Sequence, residues 1–267
     1  PNFSLVPRPD PYNPIWVDKF GELDTDRYIE FYEMHIREST NGKIAAFVLE
    51  PVQGWGGSVP APLDFFKKLK RLCEKYGALL IIDEILSGCG RTGKWLAMEH
   101  YGVEPDLLIL GKGIGNGFPM SVLCAKDKYA KDIASIGPST SFGGNPMACG
   151  AGLSVLEIFD KDKIVQQSAN LGSFFISQLT DLKNKYEIVK NVRGIGCLLG
   201  LDFFNPKTKL PSPEIAKVFY TECLKRGLIA GIPVINLSRL APPLNLSQSA
   251  SERAIEIMNE ALEVASE

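Results

Sequence analysis

DLLILGKGIGNGFPMS, residues 106 to 121, runs from an apolar stretch straight into glycines with a lysine, Lys112, set among them. The apolar run has strand length, and the glycines predict a pliable turn at its carboxyl end. Lysine is strongly hydrated and normally lives on the surface, so a solvated loop lysine is the starting assumption. Only its neighbours can displace that reading.

Outward from this point, IAAFVLE (44–50), ALLIIDEI (78–85) and SVLCAK (121–126) read as further short strands. Between them, LDFFKKLKRLCEKYG (63–77) puts Phe65, Phe66, Leu69, Leu72 and Cys73 on one helical face and stops at Gly77. TDRYIEFYEMHIREST (25–40) has helical spacing as well. Strands that are apolar throughout, alternating with helices, predict an α/β domain with a mainly parallel sheet buried on both faces. From about residue 160 the pattern changes to a long helix near 162–185, VRGIGCLLGLDFF, a helix at 213–226, VINLSRL and a final amphipathic helix at 249–265. The expected division is therefore 1–159, part of a large α/β domain, and 160–267, a smaller α+β domain.

The chain has 267 residues, 45% hydrophobic and 22% charged, with a formal net charge of -2 and no long single-sign run. Nothing favours nucleic acid or an anionic membrane surface as partner, and no leader or spanning segment is evident, which predicts a cytoplasmic location. The six cysteines have neither CxxC nor disulfide-framework spacing and read as reduced thiols. His35 and His100 are the only histidines and lie far apart, leaving little for histidine-based metal or triad chemistry.

Two nucleotide-loop readings fail. The glycines at 111, 113, 115 and 117 do not fall on G-x-G-x-x-G, and GCGRTGK (88–94) is followed by Trp95 where a magnesium-binding hydroxyl is needed.

Ligands of open α/β sheets bind beyond the carboxyl ends of strands, and Asp83 and Lys112 each lie within two residues of such an end. Two neighbouring ends would bring a carboxylate and an amine to opposite sides of one pocket. Pyridoxal phosphate needs that pair: a lysine to hold its aldehyde as a Schiff base, and an acid to keep its pyridine nitrogen protonated. Partial burial of the lysine would favour the lowered pKa of a nucleophile, and glycines around it would let a cofactor approach the backbone.

EPVQGWGG (50–57), DEILSGCGRTG (83–93), PDLLILGKGIGNGFPMS (105–121), TSFGGNPMAC (140–149) and RLAPPL (239–244) resemble, in order, the signatures of class III aminotransferases, the subgroup II pyridoxal-phosphate enzymes of fold type I. The resemblance implies that Lys112 is the Schiff-base lysine and proton carrier, Asp83 the partner of the pyridine nitrogen, and Ile85 the side chain on the ring face. It implies that Ser141, with Thr140 adjacent, reaches the cofactor phosphate of a neighbouring subunit in a homodimer; an N-cap for the following helix is the competing explanation. Arg239 matches the arginine that clamps the substrate carboxylate, and core packing competes with the role of Ile85. Glu50, Arg91 and Thr92 fall in turns that the resemblance marks as structural.

The sequence departs from the family pattern at two positions and in length. Leu86 stands where many members have a glutamine on the cofactor's phenolic oxygen, and Trp55 where users of glutamate have an acid that pairs with the arginine. Both favour pyruvate or glyoxylate as amino acceptor. The family's phosphate-binding loop and ring-covering aromatic have no counterpart here, so a missing or separate N-terminal portion is expected to complete the site. A racemase or decarboxylase on the same scaffold, or a non-catalytic subunit, remains the alternative.

Overall fold

Asp24 starts the first helix, Thr25–Ser39, by accepting hydrogen bonds from the backbone N–H groups of Asp26 and Arg27, and Tyr28, Tyr32 and Ile36 then recur on its buried side. This computed structural model describes residues 3–137 and 140–267. The helix Phe65–Tyr76 buries the five residues its spacing predicts, and Gly77 closes it in the left-handed region at φ 65°. Both helices pack onto one core with Leu80, Ile82 and Tyr101.

That core belongs to the first of two compact units, Pro1–Pro51, Ala61–Cys89 and Leu96–Ile158. Its sheet has four strands in the order Ala46–Leu49, Leu79–Asp83, Leu107–Leu110, Val122–Ala125. The first two pairings are parallel and the last is antiparallel, so the sheet is mixed but mostly parallel. Burial on both faces is not what the strands show: in Leu79–Asp83 fully buried Leu80 and Ile82 alternate with half-buried Leu79, Ile81 and Asp83. Val48 and Leu123 are 57% and 53% exposed. The two helices supply apolar side chains to one face only, and the other is left partly open among the described residues.

The second unit comprises Val52–Pro60, Gly90–Trp95 and Phe159–Glu267. Its sheet is antiparallel, with Leu198–Phe203 between Val189–Ile195 and Leu237–Leu240. Every residue of the central strand is buried. Helices Ile164–Lys185, Pro213–Lys225 and Gln248–Ala265 cover it, with Phe175, Leu179, Phe219 and Leu262 in the core. Ser212 and Ser247 cap the last two helices through their hydroxyls.

A cut at residue 159 alone does not describe this unit, because two short early segments pack into it. Ser58 donates its hydroxyl hydrogen to the Leu199 carbonyl at 2.8 Å. A Cβ on Gly196 would stand 2.4 Å from the Thr92 carbonyl carbon, so only glycine admits that approach. Among the described residues no helix is long and apolar enough to cross a membrane.

Candidate active site

Asp83 closes its strand and lies opposite Ile109 in the parallel register with Leu107–Leu110. Lys112 follows two residues after that second strand ends, so both residues occupy the same edge of one parallel pair. The Asp83 Oδ1 accepts the Ile85 N–H at 2.9 Å, and among the described residues of its unit no cation pairs with this carboxylate.

Lys112 has φ 42° and begins a single 3-10 turn, Lys112–Ile114, closed by Gly115 and Asn116 N–H groups donating to its own carbonyl. A non-glycine residue there is strained, a feature that clusters at functional sites. The lysine is exposed in this chain, not partly buried as expected, because the turn projects it beyond the sheet edge. Three of the glycines around it have close protein neighbours. A Cβ on Gly111 would meet Ile85 Cγ2 at 3.1 Å, one on Gly113 would meet Cys89 Cβ at 2.9 Å, and one on Gly115 would meet the Phe118 carbonyl oxygen at 2.4 Å. Ile85, half-buried, therefore packs against the backbone directly before Lys112.

The segment between Asp83 and that loop is anchored by Glu84. Its buried carboxylate accepts the N–H groups of Ala97 and Met98 at 2.7 and 2.9 Å and the Ser87 hydroxyl. Burial pushes the Glu84 carboxyl up, against those hydrogen bonds. The sequence analysis assigned this residue no role.

Thr140 and Ser141 are exposed and carry no side-chain hydrogen bond among the described residues. The N-cap alternative falls away: Asn145 caps the helix Pro146–Lys161, accepting the Ala148 N–H at 2.9 Å and donating to the Phe142 carbonyl.

In the second unit Arg239 sits on the strand Leu237–Leu240, opposite Gly200. Gly57 at φ 104° and Gly200 let the 54–57 turn press on this sheet, since a Cβ on Gly200 would stand 2.8 Å from the Gly57 carbonyl oxygen. The turn carries Trp55, whose ring lies 4.6 Å from the Arg239 guanidinium carbon. The Nη1 of Arg239 is buried without a hydrogen-bond partner among the described residues. Trp55, Ile232, Val234, Leu237 and Arg239, with the backbone of Gly54 and Gly231, line a pocket of about 170 Å³. The three aliphatic walls were not anticipated, since a loop without periodicity supplies two of them.

Arg91 organises the same unit. Its Nη1 donates to the carbonyls of Pro242 at 2.6 Å and Cys197 at 3.2 Å, tying the GRTG turn to the segment just after Arg239. Burial lowers the Arg91 pKa, and the Arg239 charge adds to that.

The α/β unit and the antiparallel unit have the fold of the pyridoxal-phosphate enzymes of fold type I. An amine transaminase from an uncultivated Pseudomonas species, solved in its PLP-bound form, superposes with a TM-score of 0.85 at 31% identity over 97% of this chain and 60% of its own. The family model for aminotransferase class-III matches residues 1–262. The chain belongs to the class III aminotransferase family, and that membership implies pyridoxal phosphate as cofactor. Curated relatives include an alanine/serine racemase of Pyrococcus horikoshii, 33% identical over 98% of this chain and 56% of the relative. A 5-aminovalerate aminotransferase of Pseudomonas putida is 36% identical over 81% of this chain and 52% of its own length. The chain thus spans little more than half the length of these relatives.

The residues present fit the cofactor. Among the described residues, an acid without a cation partner, a lysine held on strained backbone and two hydroxyls without hydrogen bonds suit a pyridine nitrogen, a carbonyl carbon and a phosphate.

Proposed function

We propose that this chain forms most of the catalytic site of a transaminase that moves an amino group from an amine or amino acid to a 2-oxo acid, with pyruvate or glyoxylate favoured as acceptor. The observation that carries the proposal is the shared edge of Asp83 and Lys112 in a member of this family. When bound, pyridoxal phosphate supplies a protonated pyridine ring that withdraws electrons from the substrate's α-carbon. Asp83 would hold the proton on the pyridine nitrogen. Lys112 would bind the cofactor's aldehyde carbon and, once displaced by substrate, carry a proton from the α-carbon to that same cofactor carbon and back.

Ile85 would cover one ring face, and its contact with the Gly111 backbone supports a fixed position. Ser141 and Thr140 would donate to the phosphate of a neighbouring subunit in a homodimer; their unpartnered hydroxyls support this. Arg239 would bind the substrate carboxylate through its open Nη1. The first unit is read as the C-terminal part of the large cofactor domain and the second as the small domain. Because the chain spans little more than half of its relatives' length, activity is assigned to an assembly that includes an N-terminal portion, in the same or a separate polypeptide, in the cytoplasm.

The Pyrococcus relative favours a second reading, amino-acid racemisation on the same residues. One experiment separates the two: load the assembly with cofactor, supply pyruvate and an amino donor, and follow alanine formation and alanine inversion in the same sample. Alanine formed in proportion to donor consumed supports transamination. Inversion without transfer supports the racemase, and neither leaves a non-catalytic subunit.

A further inference from the structure

The two residues that flank Lys112 are each crowded by one side chain of the segment that follows Asp83: Ile85 stands over Gly111 and Cys89 over Gly113. Gly88 adds a third close approach, since a Cβ there would stand 2.9 Å from Leu110 Cδ2. The segment making these contacts is itself tied down. The Glu84 N–H donates to the Ile109 carbonyl at 2.9 Å, and the Gly88 N–H donates to the Glu84 carbonyl at 3.0 Å.

Cys89 is buried and has φ 51°, so it shares with Lys112 the left-handed backbone that a side chain makes costly. Glycine would adopt it without strain. What meets the space beside Gly113 is the Cys89 Cβ, at 2.9 Å from an added methyl, with Sγ farther off at 3.7 Å. Burial pushes the thiol up to about 11, which keeps it protonated and of little use as a nucleophile near neutral pH. The strained residue therefore supplies packing at the backbone and not sulfur chemistry. Gly113 has no positive φ, so its backbone admits alanine, and among the described residues only Cys89 stands in the way of the methyl.

We infer that Cys89 is a positioning residue for Lys112: its Cβ closes on Gly113 while Ile85 closes on Gly111, and the two contacts hold the left-handed backbone from which the lysine projects. The inference rests on the proposed role of Lys112 as the residue that binds the cofactor's aldehyde carbon. Strain at position 89 is thereby coupled to strain at position 112.

The test is a double-variant cycle on the assembly that includes the N-terminal portion, using Cys89→Gly, Gly113→Ala, the two combined, and Cys89→Ala. Hydrogen exchange of the Gly115 and Asn116 amides, which donate to the Lys112 carbonyl, reports the turn; the cofactor dissociation constant and the pH dependence of the bound cofactor's absorbance report the lysine. Each single variant, Cys89→Gly or Gly113→Ala, should speed exchange of these amides and weaken cofactor binding by about tenfold, with a shifted pH profile. The combined variant, whose new methyl enters the space that Cys89 vacates, should recover most of both losses. Cys89→Ala keeps the Cβ and should bind the cofactor within about threefold of the parent. If Gly113→Ala fails to fold, Cys89→Gly against Cys89→Ala decides alone. Parent exchange or parent cofactor affinity in Cys89→Gly, or a combined variant no better than the weaker single, overturns the inference while Lys112 keeps its role. Borohydride reduction that leaves the cofactor on a different lysine overturns the role of Lys112 and this inference with it.

Discussion

Asp83 stands directly across the parallel ladder from Ile109, so the acid and the lysine three residues beyond Ile109 emerge from one edge of the sheet. Twenty-nine residues of chain separate them in sequence. Strand pairing removes that separation.

Replacing Lys112 with alanine should abolish amino transfer while leaving stability within about 0.5 kcal/mol of the parent, since the side chain is exposed. Lys112→Gly should lose activity equally yet gain up to about 1 kcal/mol by relieving the positive φ. Urea unfolding and an alanine assay check both, and transfer near the parent rate in either variant would remove Lys112 from the chemistry.

Glu84→Ala removes the acceptor for two buried N–H groups and should cost about 2–5 kcal/mol, with the midpoint of chemical denaturation as readout. The parent should show a pH signature that the variant lacks. Burial raises the folded pKa of Glu84 above its ordinary 4.5, so between the two values the folded state holds more protons than the unfolded. This group's contribution is complete below about pH 4.5 and is lost as pH rises through the folded pKa. A parent-minus-variant stability difference that grows with pH across that window would contradict the assignment.

Arg91→Met should leave the Pro242 and Cys197 carbonyls without their shared donor, at a cost of about 1–3 kcal/mol. Because Pro242 lies three residues past Arg239, the carboxylate affinity should fall with it. The expected result is a raised KM for the 2-oxo acid with a smaller change in kcat; an unchanged KM would separate Arg91 from the clamp.

Gly172→Ala should destabilise the second unit by at least about 2 kcal/mol. The added methyl would lie 2.4 Å from the Gly196 Cα, which is backbone and cannot swing aside, and Gly196 is itself wedged against Thr92. A variant melting at the parent temperature would show that the sheet turn yields more readily than its packing indicates.

Most elements were legible along the chain because their causes are local. The five apolar residues of Phe65–Tyr76 repeat at helical spacing, and Gly77 can take the left-handed conformation that ends a helix. Strand ends and glycine turns were legible for a similar reason, since they have short signatures. Ile85, Lys112 and Arg91 show where that reading thins out. The first packs on Gly111, the second is exposed on strained backbone, and the third bonds carbonyls more than a hundred residues away.

Chain order and residue type were enough to establish the α/β character and the family, and to single out Asp83, Lys112 and Arg239 as candidates for its chemistry. Folding alone settled that Asp83 shares an edge with Lys112, that Asn145 and not Ser141 caps the helix after the TSFGGNP turn, and that Trp55 lies on Arg239. Helical periodicity, capping and turn formation act over a few residues and leave their mark in sequence. Sheet register and the close passage of Gly57 over Gly200 depend on which distant surfaces exclude water together, and no short window of sequence records that.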